Sequence, residues 1–574
     1  MGAARRPVTT RRSGATGRAG TTTAPAVAVG AAMLVLALAA GCSSGADGPA
    51  PAAGGAAGGG EAGAASPRAG GTLRLAVEKE PECLDPHQSP TESARLLTRP
   101  LVDSLVYQDP RGGLHPWLAR EWTVSGDRLT YTFRLREGVT FTDGRKFDAA
   151  AVVANLDHVV DPKTKSLLAA SLIAAYESAK AVDPLTVEVK LKRPDSGFLS
   201  ALAQPNLGIE SPATLKGPAS KLCAVVVGTG PFRSDGGFTP QKGIDYVRNP
   251  AYAWAPEGAA RGGPGLLDRI EVTVVPDNSA RLGALTSGQV DAVTGLAPAG
   301  IGTLKSTPGF ALHTTRFPGA NYSYWPNTAK GPLSDVNVRK ALRAGIDWRR
   351  IVKNVYFGVY DGADGPLSAS TPGYDPSVAA AYGHDPAEAN RLLDQAGWTQ
   401  RDAQGYRTKD GRRLTLRHMW SDPSVGNLAV QIQAAARQIG VELVEENLDG
   451  GTFVDRLLAG DYELIDTSFS SPGPDVLRVL FGADNIPTPE RGISNNMARY
   501  DNPEVESAFR RALGARDQAE QFGVYAEVQR RITEDAAVLP IYSPLSTLAA
   551  REGVRDVRFN VDGTPDLSGI WLAS

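Results

Sequence analysis

A chain of 574 residues, 42% hydrophobic and 21% charged with 63 glycines and 41 prolines, is too long for one hydrophobic core and is expected to split into domains. Collagen-like, coiled-coil and many-span membrane classes are excluded, because the glycines have no period of three, the prolines are scattered and there is one long apolar run. The formal charge of −2 includes five arginines before residue 42, where no Asp or Glu stands; the remainder carries −7, an acidic body with no basic stripe for nucleic acid.

Arg5, Arg6, Arg11, Arg12 and Arg18 precede an apolar run at 26–40, which Gly41-Cys42-Ser43-Ser44-Gly45 follows at once. The run is shorter than the ~20 residues of a membrane span, and the layout is that of an export signal. Its end resembles a bacterial lipobox, in which Cys42 receives a diacylglycerol and becomes the mature N-terminus; Ala39 stands where that motif prefers Leu. Residues 1–41 are therefore read as a lipoprotein signal peptide, and 42–70 as the lipidated Cys followed by a flexible tether. Segment 43–70 is almost wholly Gly, Ala, Ser and Pro and cannot bury a core. Such a chain spans about 30 Å root-mean-square, enough for a body at the outer membrane face to reorient. The G-x-S-x-G string at 41–45 has neither a strand before it nor a helix after it, so it is not a hydrolase nucleophile turn.

From residue 71 onward, strand and helix signals alternate without an internal repeat, which indicates an α/β or mixed α+β body. Period-two alternation predicts strands over 129–136 and 185–191, each with one wet face, and further strands over 71–77, 270–274 and 414–416. Helices announce themselves by acidic caps. Asp148 starts one through Leu156, Asp277-Asn278 starts one that Gly288 ends, and Asp335 and Asp347 start two in succession. In Asp385-Pro386-Ala387-Glu388 the Asp is the cap, Pro takes the first helical position and Glu adds a reciprocal carboxylate; Leu392, Leu393 and Ala396 form the buried stripe before Gly397.

Several ordered motifs in this body resemble the extracytoplasmic solute-binding proteins of ABC importers, in the peptide- and nickel-type class known as family 5. Leu114-His115-Pro116-Trp117-Leu118-Ala119-Arg120-Glu121-Trp122 is similar to "P-x-L-A-x-x-W", and 129–144 to "Y-x-F-x-L-R-x-G-V-x-F-x-D-G". Gly228-Thr229-Gly230-Pro231-Phe232, Arg248-Asn249-Pro250-Ala251-Tyr252, the helix end Leu285–Asp291, the stretch from Asn327 through Val338-Arg339-Lys340-Ala341, and Asp385-Pro386 with Leu392–Trp398 follow in the family's order. The resemblance implies a two-lobed periplasmic-binding-protein-like fold with a hinge. Lobe I is then 71–105, 225–320 and 541–574, an inserted subdomain occupies 106–224, and lobe II is 321–540. Pro318-Gly319, Pro540 and Pro544 fall near the two expected crossings, and ligand is expected to be enclosed between the lobes.

Gly228–Phe232 lacks the Lys-Ser/Thr ending of a phosphate loop and is read as a structural turn. The six histidines show no i, i+4 pair and no H-E-x-x-H, so no metal site is expected from sequence, and no cofactor. Cys83 and Cys223 are the thiols left after Cys42; outside the cell a disulfide between them is expected, with two separate buried thiols as the alternative. Trp117, Trp122, Trp348, Trp398 and Trp571 lie within elements and are assigned to cores. Tyr322, Tyr324 and Trp325, just after the first crossing, and Trp420, at a strand end, are candidates to line the cleft, with packing beneath the hinge as the alternative.

Peptide-binding members of the family hold the ligand's α-amino group with an Asp a few residues before a D-P pair. In the matching stretch here, 469–476, that position falls on Pro472 or Gly473, and Val476 replaces the Pro. Glu78, Glu82 and Asp475 are the candidate substitutes, and Arg456 is a candidate partner for an anionic group. The resemblance thus implies a lipid-anchored, monomeric receptor outside the cytoplasmic membrane. It captures a modified peptide, peptide-like product or other amphipathic solute and delivers it to a permease with a separate ATPase, without itself being an enzyme. An exported hydrolase would need a convergent nucleophile and base that no motif supplies. A solute-sensing module would share the same binding lobes.

Overall fold

The computed structural model describes residues 66–573, apart from 167, 260–261 and 422–424. The signal segment, Cys42 and the tether up to residue 65 lie outside the described residues. The body is a mixed α/β assembly organised on three principal sheets.

The caps form as expected. The carboxylates of Asp148, Asp277, Asp335, Asp347 and Asp385 accept the backbone N–H of Ala151, Ala280, Asn337, Arg350 and Glu388, each contributing about 1 kcal/mol to its helix. The helix that Asp148 starts runs Ala149–Val160, past Leu156, because Val159 continues its buried stripe. Gly288 closes Asn278–Ser287 in the left-handed conformation at φ 79°.

In the seven-stranded sheet Thr72–Val77 lies centrally, parallel to Arg269–Val274 (Thr72 opposite Arg269) and to Ala292–Thr294. The late strand Leu545–Arg551 inserts antiparallel between Ala292–Thr294 and Phe310–Arg316. In the five-stranded sheet Thr415–Trp420 runs parallel to Glu442–Asn447 and Leu464–Ser470, while Gly319–Pro326 and Leu539–Tyr542 complete the far edge. Both faces of each sheet carry apolar clusters. The third sheet, of strands Ala119–Val124, Thr130–Leu135, Thr186–Leu191 and Tyr176–Asp183, packs on Ala149–Val160 around its own core of Phe133, Phe141, Val152 and Phe198.

The chain passes from the seven- to the five-stranded sheet between Arg316 and Gly319, and returns between Tyr542 and Leu545. These crossings lie two or three residues outside the ends expected for lobe II, because Gly319 already pairs with Ser470 and Tyr542 still pairs with Tyr322. Only glycine suits position 319. Its φ is 107°, and a Cβ there would meet the Phe469 carbonyl at 2.1 Å.

The glycine-rich motif at 228–232 is a turn built for close approach. A Cβ on Gly228 or Gly230 would stand 2.3 Å from Leu101 O and 2.4 Å from Pro100 O, respectively. Between the two, the Thr229 hydroxyl donates to the fully buried Asp103 carboxylate at 2.8 Å, which also accepts from Trp254 Nε1 at 2.9 Å and Tyr252 OH at 3.2 Å. Burial pushes Asp103 up to about 6 although these three donors oppose it.

Cys83 and Cys223 are joined by a disulfide, their Cα atoms 4.3 Å apart, which ties the loop after the first strand to the segment before Gly228. The third-sheet region also touches the helices Pro503–Leu513 and Gln518–Glu534. Arg128 donates to Gly514 O at 2.7 Å, Ser196 Oγ to Ala512 O at 2.8 Å and Gln518 Nε2 to Gly112 O at 2.8 Å.

Candidate functional site

In the seven-stranded sheet the parallel strands Thr72–Val77 and Ala292–Thr294 end beside Glu78 and Gly295. In the five-stranded sheet the parallel strands end at Trp420, Asn447 and Ser470, and Ser470 pairs with Gly319, the first residue after the crossing. The carboxyl ends of that sheet's parallel strands therefore meet the junction between the sheets, which is where open α/β sheets bind ligands.

On the first side of the junction, buried Arg281 holds the strand-end loops by donating to Val275 O (2.6 Å), Pro276 O (2.7 Å) and Gly295 O (2.6 Å). Burial lowers its pKa, opposed by the charges of Glu78 and Asp277. Half-buried Glu78 lies over Gly295, where a Cβ would come within 2.5 Å of its Oε2. Glu92 begins the Thr91-capped helix Glu92–Thr98. The residue keeps access to solvent, but desolvation by the surrounding protein pushes its carboxyl up to about 7 against the pull of Arg95, with Asp562 and Glu78 adding to the rise. Arg95 pairs with Asp562 at 3.0 Å, and the Asp562 carbonyl accepts the Ser470 hydroxyl from the other side at 3.3 Å.

On the second side, four tyrosines form one group. Tyr322 stacks on Tyr542 at 4.7 Å between centroids, Tyr542 stacks on Tyr360 at 5.0 Å, and Tyr356 lies 4.8 Å from Tyr360 and 4.9 Å from Tyr542. Val359, in the loop that carries Tyr356 and Tyr360, packs with Ala76, Val293 and Ala549 of the seven-stranded sheet. Burial, then Tyr356 and Glu78, raise the Tyr360 phenol to about 12, so this tyrosine feels the acid across the junction.

Behind the tyrosines lies a buried charged chain. The Tyr322 hydroxyl donates to Asp466, and His418 stands 3.8 Å from Asp466 and 2.6 Å from Glu445. Burial pushes the imidazole down, but the two carboxylates outweigh it and raise His418 to about 9. The imidazole is therefore a cation at neutral pH, and the Tyr324 ring lies 4.3 Å from it.

The eight candidate ligand contacts separate in space. Trp325 is a core residue between Phe469 and Phe481, its Nε1 donating to Thr467 O at 3.2 Å, and Tyr324 is core beside Trp348. The expectation that these two line the cleft is corrected: Gly319–Pro326 is buried along its whole length because helices cover both faces of its sheet. Tyr322 is buried too, reaching the junction through its stack on Tyr542. Trp420 is half-buried at a strand end.

Arg456 is engaged by Glu446 (2.8 Å) and Asp461 (3.2 Å), and Asp475 by Arg478 (2.7 Å) and the Tyr525 hydroxyl (2.5 Å), so neither charge is left over for a solute. Glu82 is exposed, whereas Glu78 lies at the junction. Of the tryptophans assigned to cores, Trp117, Trp348 and Trp571 are buried, and Trp122 and Trp398 half-buried. Sequence reasoning missed Glu92, His418, Tyr360 and Tyr542. Only the position of Tyr542 next to the second crossing signalled one of them.

A cavity of about 370 Å³ flanks the crossings and is lined by Arg316, Asn321, Arg349, Asp361, Asp364 and Ser543. Arg316 pairs with Asp361 and Arg349 with Asp364, which satisfies its charges internally. A second cavity, also about 370 Å³, lies away from the junction between Asp103, Trp117, Tyr252 and the C-terminal segment around Asp566.

The model of the bacterial extracellular solute-binding proteins, family 5, matches residues 113–483. Heme-binding protein A of Haemophilus influenzae is 29% identical over 466 residues, covering 75% of this chain and 80% of that protein. The glutathione-binding protein GsiB of Escherichia coli strain K12 is 28% identical over 484 residues, covering 81% and 88%. The crystal structure of NikA from Brucella suis in complex with Fe(III)-EDTA superposes with a TM-score of 0.75 at 24% identity, over 88% of this chain and all of that one. That likeness shows the fold, which is periplasmic-binding-protein-like. The named relatives are binding proteins rather than enzymes.

Proposed function

The chain belongs to the bacterial extracellular solute-binding proteins of family 5, and from that premise we propose that it is the lipid-anchored receptor of an ABC import system. The two sheets act as the cores of two lobes that close on a solute at their junction, and the receptor passes that solute to a membrane permease driven by a separate ATPase. The anchor in this reading is the lipid on Cys42; no helix among the described residues is long and apolar enough to cross a membrane. The chain works as a monomer and performs no chemistry on its cargo.

The observation that carries the reading is the junction itself. Two short crossings join two sheets, and a tyrosine group on one side feels, through Tyr360, the charge of Glu78 on the other, beside which Glu92 stands. Tyrosines supply large flat apolar area with polar rims, which suits an amphipathic, peptide-like solute. The acidic wall favours a positively charged group on that solute, held by Glu78 in place of the acid missing near 472. Relatives named for heme and for glutathione are consistent with a scaffold that accepts varied solutes.

Mass spectrometry of the small molecule that co-purifies with the body, followed by calorimetry with that molecule, tests the proposal. Tyr360→Ala and Glu78→Gln are each expected to weaken binding at least tenfold. Submicromolar binding of unmodified di- to pentapeptides that is lost on N-terminal acetylation but indifferent to Glu78→Gln would overturn it in favour of amine capture near 470–476. Turnover of the bound solute would favour a hydrolase.

A further inference from the structure

Glu210 is fully buried, and no N–H or O–H donor reaches either of its carboxylate oxygens, which face the Asp85 carboxyl instead. Its backbone is pinned by Asn155, whose Oδ1 accepts the Glu210 N–H at 2.8 Å and whose Nδ2 donates to the Glu210 carbonyl at 2.8 Å. The side chain is thereby committed to the interior. A buried polar group without a partner costs about 1–3 kcal/mol, and more when charged, so its environment calls for an occupant.

The side chains facing Glu210 are Asp85, fully buried, and His87, 1% exposed; one donor atom from each of the three lies within 4.8 Å of the others. Asp85 Oδ1 accepts the His87 backbone N–H at 2.8 Å and Oδ2 accepts Gln88 Nε2 at 2.7 Å, which leaves a lone pair on each oxygen. His87 Nε2 lies 3.0 Å from the Gly208 carbonyl, which can only accept. The ring proton is therefore on Nε2 and the lone pair on Nδ1, the arrangement of a metal-bound imidazole steadied by a backbone carbonyl. A fourth nitrogen, Nδ1 of half-buried His158, is hydrogen-bonded to His87 Nδ1 at 3.0 Å, the bridging proton being one that an ion would displace. Two nitrogens each roughly 2.0–2.1 Å from one ion are of this order apart.

We propose that Asp85, His87 and Glu210 bind one divalent transition-metal ion of the zinc or manganese kind, with His158 as its ligand on the solvent side. Two carboxylates and neutral imidazole match that class of ion, and its charge of two balances both acids. The ion joins the loop that follows Cys83 to the region of residue 210, so the metal and the Cys83–Cys223 disulfide fasten neighbouring parts of the same seam. The competing occupant is a proton shared between Glu210 and Asp85.

The test uses tag-free mature protein purified without chelator, with its metal content measured by mass spectrometry, then stripped with EDTA and titrated calorimetrically with ZnCl2 and separately with MnCl2, CaCl2 serving as control. One ion per chain is expected from zinc or manganese, with a lower melting temperature after stripping. Glu210→Gln, which keeps the shape and removes the charge, is expected to weaken binding at least a hundredfold while the disulfide and circular dichroism are retained; His158→Asn is expected to weaken it about tenfold. Failure of both ions to bind the wild-type chain at one per chain, or an affinity unchanged in Glu210→Gln, overturns the proposal in favour of the shared proton. Should Glu210→Gln fail to fold, the wild-type stoichiometry and His158→Asn decide: less than one ion per chain, or unaltered affinity in His158→Asn, overturns it.

Discussion

His418 Nδ1 lies 2.6 Å from Glu445 Oε2 with the imidazole wholly buried, which places an ion pair in the interior of the five-stranded sheet. The sheet's registry explains the contact: His418 and Glu445 are directly opposite on parallel neighbours, on the face that also carries Tyr324.

Because the folded imidazole is raised to about 9 from 6.5, its stabilising contribution is full below pH 6.5 and is lost as pH rises through 9. Replacement by leucine leaves Glu445 and Asp466 buried without their cation, at an expected cost of roughly 3–5 kcal/mol near pH 6. Urea unfolding of wild type and His418→Leu at pH 6 and pH 9.5 checks this, with the difference between the two shrinking at the higher pH. An equal difference at both would mean the imidazole is neutral.

Glu92 has the opposite chemistry with the same sign. A carboxyl raised to about 7 favours the folded state most below its ordinary 4.5, and that contribution falls away as pH climbs through 7. Melting temperature measured from pH 5 to pH 8 should decline less in Glu92→Gln than in wild type. Parallel slopes would show that the folded chain does not desolvate this carboxyl.

The Cys83–Cys223 bond closes a sequence separation of 140 residues, worth at most roughly 5 kcal/mol in the chain-entropy model. Paired Cys83→Ser and Cys223→Ser substitutions should lower the denaturation midpoint accordingly. Denatured, unreduced mature protein should show no titratable thiol from this pair.

Lipid on Cys42 predicts that Cys42→Ala is either released from the membrane or left with its signal uncleaved. Membrane-bound, correctly cleaved Cys42→Ala protein requiring detergent for extraction would contradict it, as judged by fractionation and N-terminal mass.

The helices and strands are legible residue by residue, because their determinants are local. Asp148, Asp277 and Asp385 cap helices through their own first turns, and the alternation at 130–135 sets which side chains face the core. The order of family motifs carried the fold for a different reason: a motif such as Gly228–Phe232 keeps its glycines because distant backbone, at Pro100 and Leu101, approaches too closely for a side chain. The site depends instead on how distant segments pack. Period-two alternation sorts Tyr324 and Trp325 onto opposite faces but does not reveal that helices cover both, so neither tyrosine nor tryptophan reaches the cleft. Asp475 and Arg456 look like free charges in the sequence until Arg478, Tyr525, Glu446 and Asp461 are placed beside them. Asp85, His87 and Glu210 have no common spacing, since a site is defined by where side-chain atoms converge, and long-range packing alone fixes that convergence.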